Sequence, residues 1–189
     1  MSQTLIIAAH PDISRSVVNR CWLDAVRHRD CATVHELYGA YPDGHIDVAV
    51  EQARVDAHRT IVLQFPVYWF NCPPLLKKWL DEVLTYGWAY GSQGKALAGK
   101  TVALAVSLGT PAADYRADGK IGYGVAEVLR PFELTMKYCN ADYRPPFVFH
   151  TIDSNAVYND AARAVIERSA ADYLDWLEKT LSIKPAQTI

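Results

Sequence analysis

Five short apolar runs, each followed by a longer stretch of helical periodicity, set the rhythm of this chain. Thr4-Leu5-Ile6-Ile7-Ala8-Ala9 carries almost no polar position, as expected of a strand covered on both faces. Ala32 to Leu37, Thr60 to Phe65, Thr101 to Val106 and Phe147 to Phe149 repeat the pattern. The segments between them predict helices. Residues 15–28 place Val18, Cys21, Trp22, Ala25 and Val26 on one side, and residues 46–57 turn Asp47, Glu51 and Asp56 toward water. Residues 73–84, 123–137 and 159–181 complete the set. Strands alternate with helices throughout, and no short hairpin joins two strands, which predicts a parallel, doubly wound α/β sheet.

No repeat, low-complexity tract or linker interrupts residues 1–189, so the chain reads as one domain. Right-handed crossovers with five strands most simply give the flavodoxin-like order 2-1-3-4-5, with a ligand crevice at the strand carboxyl ends. The loops after strands one, three and four are then the ones to examine.

Half of the 189 residues are hydrophobic, enough for one well-buried core. The net charge of -2 comes with no basic stripe, which argues against nucleic acid as a partner. No apolar run approaches the roughly 20 residues of a membrane span, and Met1-Ser2-Gln3 enters the first strand without a signal-peptide pattern. Cys21, Cys31, Cys72 and Cys139 form no Cys-x-x-Cys pair and lie near no His at zinc-ligand spacing, so no metal site is expected. Cysteine usage suits a reducing cytoplasm.

The first loop reads His10-Pro11-Asp12-Ile13-Ser14-Arg15-Ser16-Val17-Val18-Asn19. A helix start offers free amides and the positive dipole end to an anion, with Ser14, Ser16, Asn19 and His10 as further donors. The dipole contributes only about 0.3–1 kcal/mol, so charge-assisted hydrogen bonds of about 1.5–3 kcal/mol each would do most of the holding. An ordinary serine N-cap beside a surface histidine is the plainer alternative. G-x-G-x-x-G and G-x-x-x-x-G-K-[ST] are both absent, which argues against a Rossmann dinucleotide site or an NTPase.

The second loop, Phe65-Pro66-Val67-Tyr68-Trp69-Phe70-Asn71-Cys72-Pro73-Pro74, places three aromatics in a row before a helix that starts on two prolines. Three adjacent rings cannot all point inward from a loop, so at least one is presented outward. Such a shelf suits a planar heterocycle, read here as a flavin. Cys72 precedes the helix start, where a thiol pKa can fall, but no His partner accompanies it. The third loop, Ser107-Leu108-Gly109-Thr110-Pro111, supplies hydroxyls and a glycine for close approach to a ring edge. It leads to Tyr115, a candidate donor to charge developing at the flavin N1/C2 carbonyl.

In the helix 73–84, Leu75, Leu76, Trp79, Leu80, Val83 and Leu84 span a wider arc than the ~100° stripe one core contact needs. Lys77/Asp81 and Lys78/Glu82 mark the wet face. The surplus width, with Gly87-Trp88-Ala89-Tyr90-Gly91 beside it, predicts a homodimer with the flavin site near the seam.

Taken together these residues resemble the NAD(P)H:quinone oxidoreductase family, the DT-diaphorase-like branch of flavodoxin-like flavoproteins. They are most similar to its small bacterial KefF/KefG type, ancillary proteins of glutathione-gated potassium efflux systems. The likeness runs from Leu5 to about Phe149 and includes His10-Pro11 with Ser16 and Asn19, Leu37 to Asp43, Phe65 to Leu80, Gly87 to Gly91, Leu97 to Lys100, Leu129 to Phe132 and Pro145 to Phe147. It implies flavin phosphate bound by His10 and the Ser16-Val17-Val18-Asn19 turn. It implies an isoalloxazine held by Pro66, Val67, Tyr68, Trp69 and Phe70 and by Ser107, Leu108, Gly109 and Thr110, with Tyr115 at the catalytic tyrosine position. Reduced NAD(P)H would pass hydride to flavin N5, leave, and be replaced by a quinone. FMN is the expected flavin, with FAD as the alternative.

Two departures stand out. Ser-Leu-Gly-Thr follows strand four where many members carry Thr-Thr-Gly-Gly. Six residues past Tyr115, where DT-diaphorase-like members carry a catalytic His, this chain has Ile121. Tyr115 is therefore given an electrostatic role only. Two other functions compete: a regulatory flavoprotein that activates a potassium efflux transporter, peripheral on the inner membrane face, and a flavodoxin-type electron carrier. The carrier fits poorly without strong acidity or a compact Thr/Ser-rich phosphate loop.

Overall fold

Strands with no polar face must lie in the middle of a three-layer structure, and here they do. The computed structural model describes residues 4–29, 31–150 and 158–181. Strands β1 (Thr4–Ala8), β2 (Thr33–Glu36), β3 (Thr60–Pro66) and β4 (Thr101–Ser107) are parallel, followed by the short β5 (Asp142–Tyr143) and β6 (Phe147–Phe149). The order is β2-β1-β3-β4-β5, with β6 also parallel to β4. This is the flavodoxin-like order that the alternation of elements predicts.

Alternate residues sort the core into two layers. Ile6, Ala8 and Val62 face α1 (Val18–Arg29) and α7 (Asp160–Leu181), where Trp22 and Tyr173 pack with ring centroids 5.2 Å apart. Leu5, Ile7, Leu63 and Phe65 face α3 (Val48–Asp56), α4 (Pro74–Val83) and α6 (Arg130–Tyr138).

Element boundaries differ from the periodicity where local chemistry competes with it. A 3-10 turn, Ile13–Arg15, precedes α1 and postpones it to Val18. The second strand ends at Glu36 and becomes the single turn α2 (Leu37–Ala40). The expected helix 123–137 is two helices, α5 (Val125–Val128) and α6, which meet at Leu129. Pro131 accounts for the break, since its ring has no place inside a continuous helix but suits a first turn. The fifth strand position is shared by β5 and β6. The Arg144 amide still donates to the Val102 carbonyl at 2.9 Å, but Pro145 and Pro146 have no N–H to continue the ladder.

Two expectations about faces are overturned. The whole apolar arc of α4, from Leu75 to Val83, together with Leu84, is buried within this one chain. Its surplus width is taken up by the chain's own loop, through Ala89 and Leu97. That loop is tightly bonded, with Gly87 N–H donating to Tyr90 O at 2.9 Å and Ala96 N–H to Trp88 O at 3.0 Å.

Glu51 does not face water either: its exposure is 0%. One carboxylate oxygen accepts from Tyr41 Oη at 2.9 Å and lies 3.0 Å from His35 Nε2; the other accepts from Trp79 Nε1 at 2.8 Å. A carboxylate with that many donors recruits three elements around α3, and periodicity cannot tell it from a solvated one. Burial alone would raise its pKa, yet the contacts from His35, Trp79 and Tyr41 overcome that and hold it down at about 2. A carboxyl depressed from 4.5 contributes stability that is complete above the unfolded value and is lost as pH falls toward the folded one. Glu51→Gln should cost about 3 kcal/mol at pH 7 and much less near pH 3. Urea denaturation of both proteins at the two pH values measures this. Equal losses at both would show that the charge is not what stabilises.

Candidate functional site

At the carboxyl ends of β1, β3 and β4 the three loops enclose a cavity of about 420 Å³. Of the residues singled out in the sequence, His10, Ser16, Val17, Val18, Asn19, Pro66, Val67, Tyr68, Ser107, Leu108 and Gly109 line it. Trp69, Phe70, Thr110 and Tyr115 do not line it, and Pro11, Asp12, Arg15 and Tyr158 do, though the sequence reading did not assign them.

One end of the cavity is the start of α1. Ser16 caps the helix, its Oγ accepting from the Asn19 amide at 3.1 Å. The amides of Val17 and Val18, in the same first turn, have no partner one turn earlier. Two expected donors also bond within the chain. Asn19 lines the cavity, with one N–H of Nδ2 donated to Ser107 Oγ at 3.0 Å. Ser14 Oγ donates to Asp12 Oδ1 at 2.6 Å, and Arg20 donates to the Ser14 carbonyl, fixing the 3-10 turn.

His10 Nδ1 accepts from the Asp12 amide at 3.1 Å, which leaves Nε2 to carry the proton. Burial lowers the His10 pKa against the opposing pull of Asp12, so the ring is a neutral donor at pH 7. The cationic charge at this end comes from Arg15. Its signal in the sequence was available: it is the one guanidinium between the first strand and the first helix.

Beside the cavity, the aromatic segment is a two-residue hairpin. Tyr68 and Asn71 exchange both backbone hydrogen bonds, at 2.8 and 2.9 Å. Between them Trp69 and Phe70 have φ of 50° and 62°. Positive φ at both central residues is a type I′ turn, which normally takes Asn-Gly. Bulky aromatics there hold strain of about 1–3 kcal/mol each. Trp69 is 94% exposed and Phe70 48%. Cys72 is not an activated thiol: it is buried, and burial pushes its pKa up to about 11.

Tyr115 sits in a separate fold of chain after β4 and is only 8% exposed. The loop doubles back tightly, with the Ile121 amide donating to the Asp114 carbonyl at 3.0 Å. A Cβ at Gly119 would come within 2.6 Å of the Ala113 and Asp114 carbonyl oxygens, so only glycine permits that path. The ring beside Tyr115 belongs to His150, at the end of β6, with centroids 5.5 Å apart. Sequence spacing missed it, because His150 is adjacent only across the sheet. Among the described residues there is no cluster of His, Cys, Asp or Glu able to hold a metal ion, and no helix is long and apolar enough to cross a membrane.

A family model described as a flavodoxin-like fold matches residues 2–177. The chain is 43% identical to the uncharacterized NAD(P)H oxidoreductase YrkL of Bacillus subtilis, over 86% of this chain and 95% of that protein. The chain belongs to the flavodoxin-like NAD(P)H oxidoreductase family. It is also 45% identical to general stress protein 14 of Bacillus subtilis, over 93% of this chain and 97% of that one. Identity is 37% to the glutathione-regulated potassium-efflux system ancillary protein KefG of Erwinia tasmaniensis, covering 95% and 94%. Among solved structures, general stress protein 14 of Treponema denticola in complex with FMN superposes with a TM-score of 0.87 at 68% identity, covering 93% and 98%. An NADPH-quinone reductase from P. pentosaceus superposes with a TM-score of 0.79 at 30% identity, covering 92% and 96%.

Replacing Trp69-Phe70 by Asn-Gly tests what the strained turn is for. The hairpin should survive and the thermal midpoint should rise, reflecting relief of about 2–6 kcal/mol over the two positions. Retention of added FMN, followed by quenching of its fluorescence, should fall at least about tenfold, a loss of some 1.4 kcal/mol. Unchanged retention would mean that the rings face outward for some other purpose.

Proposed function

We propose that this chain is a flavin-dependent NAD(P)H:quinone oxidoreductase with FMN as its flavin. The observation that carries the reading is one cavity with a phosphate-type donor set at the start of α1 and an exposed aromatic turn beside it. His10, Arg15, Ser16 and the amides of Val17 and Val18 suit a phosphomonoester, combining charge, hydroxyl and helix start. The FMN complex of a relative 68% identical supports that cofactor over FAD. The named NAD(P)H oxidoreductase and NADPH-quinone reductase relatives support the donor and acceptor classes.

Bound FMN supplies a two-electron centre that accepts hydride from a nicotinamide and returns it to a quinone. The chain's own work is to bind and orient. Arg15 offsets the phosphate charge, and the neutral His10 donates a hydrogen bond to it from Nε2. Pro66, Val67 and Tyr68 on one side, and Ser107, Leu108, Gly109 and Thr110 on the other, frame the ring. Trp69 and Phe70 offer apolar surface beside the cavity and keep water from the reacting face. Tyr115 would offer its hydroxyl toward the ring edge, where negative charge builds during reduction. A single open face of the bound ring, used in turn by donor and acceptor, would suit a ping-pong order.

Similarity to KefG supports a second reading, in which the same flavoprotein binds and activates a potassium efflux protein at the inner membrane face. Co-purification with a membrane transporter, without quinone turnover, would favour it. A homodimer remains part of the proposal on a different footing. The exposed rings of Tyr86 and Tyr138 flank Tyr90, with centroid separations of 5.8 and 5.5 Å, and Leu134 extends the patch.

The purified protein should be yellow and release FMN on denaturation, identified by chromatography. Tyr115→Phe should slow flavin reduction by NAD(P)H at least about tenfold while keeping the FMN. A colourless protein that takes up neither FMN nor FAD removes the redox reading. Sedimentation at micromolar concentration should give twice the chain mass; a monomer at every concentration would end the dimer proposal.

A further inference from the structure

We infer that His150 is the positioning residue of Tyr115, tying it to the loop that frames the ring. The inference rests on the flavin-reductase reading and deepens it. His150 enters from the sheet, not from the loop that carries Tyr115. β6 runs beside β4 with Phe149 opposite Ser107, and the Leu108 amide donates to the Phe149 carbonyl at 2.8 Å. The next residue, His150, is thereby delivered to the start of the Ser107–Thr110 loop.

Two contacts fix its ring. Nδ1 lies 3.2 Å from the Thr110 carbonyl, and since a carbonyl only accepts, the proton sits on Nδ1. One face of the imidazole lies against Tyr115 at a 55° tilt. A hydrogen bond on one side and a ring contact on the other make His150 a strut between Thr110 and Tyr115. That strut matters because, among the described residues, the backbone bonds of the loop that carries Tyr115 are local: Asp114 N–H to Pro111 O, Tyr115 N–H to Ala112 O and Ile121 N–H to Asp114 O. Those bonds shape the loop from within; His150 adds a contact from outside it, across the sheet.

The inference has readouts with and without flavin. In the flavin-free protein, ¹⁵N NMR should show a proton on His150 Nδ1, held by the Thr110 carbonyl. His150→Ala should change the Tyr115 ring resonances and speed its ring flips. An unaltered Tyr115 spectrum overturns the inference, whether or not flavin binds.

In the FMN-loaded protein, His150→Ala should slow flavin reduction about fivefold or more. KM for NAD(P)H and FMN affinity should stay within about twofold, a shift under the 1.4 kcal/mol of a tenfold change. The same substitution added to Tyr115→Phe should cost nothing further, since residues acting as a unit are not additive. His150→Asn, which keeps an amide donor for the Thr110 carbonyl, should recover part of the rate; His150→Leu, which only fills space, should not.

Additive losses, a silent His150→Ala, or equal rescue by Leu would each overturn the strut. A yellow protein slowed by Tyr115→Phe but indifferent to His150 would sink this inference alone. A colourless protein, or one indifferent to Tyr115→Phe, would sink the reading beneath it.

Discussion

A glutamine and an asparagine buried inside the sandwich hold the site in place. Gln64 lies within β3 and Asn19 in the first turns of α1, both buried. Their amides cannot be left without partners at a cost of about 1–3 kcal/mol each. Gln64 Nε2 donates to the Asn19 carbonyl at 3.0 Å, Asn19 Nδ2 donates to Ser107, and Tyr173 Oη donates to Gln64 Oε1 at 3.1 Å. This chain links β3, α1, β4 and α7. Satisfying it fixes the start of α1 relative to the end of β4, and so fixes the α1 end of the cavity against its walls. The hydrophobic layers alone would allow those loops to slide.

The two sides of the site are built on opposite principles. At α1 the side chains are tied locally, Ser16 to Asn19, Ser14 to Asp12, Arg20 to Ser14 and Asp12 N–H to His10, which holds the open amides of the first turn in place. Beside the cavity, Trp69 and Phe70 are held in a backbone shape that bulky residues avoid, with their rings exposed. Tight bonding suits recognition of a phosphate, whose demands are fixed by charge and geometry. Exposed rings on a strained turn suit a face that must accept successive planar partners.

The sheet order was legible because parallel buried strands are uniformly apolar and their crossovers have one hand. The loops of the site were legible for the same reason: topology fixes which strand ends meet. What sequence could not supply was the partner of each polar group. Glu51 looks like a solvated helix residue until Tyr41, His35 and Trp79 are folded around it. The Asn19 bond to Ser107 is invisible until β4 is brought beside α1. The apolar arc of α4 looks like an interface until the chain's own loop covers it. His150 lies 35 residues beyond Tyr115, and only the pairing of β6 with β4 brings the two rings together. In each case the missing knowledge is a long-range contact, while the resemblance to quinone reductases was carried by local motifs.

The split in the last strand position has a consequence for how copies of this chain can meet. An exposed sheet margin is a template for another molecule's backbone, and proteins blunt such margins with prolines and brevity. Here one border of the sheet is the four-residue β2, and the other is interrupted by Pro145 and Pro146 between two- and three-residue segments. Neither offers a run of amides long enough for an incoming strand to bind. Self-association by sheet extension, the usual route to fibrils, is closed from both sides, and any assembly must be made through side chains on the helical faces and loops.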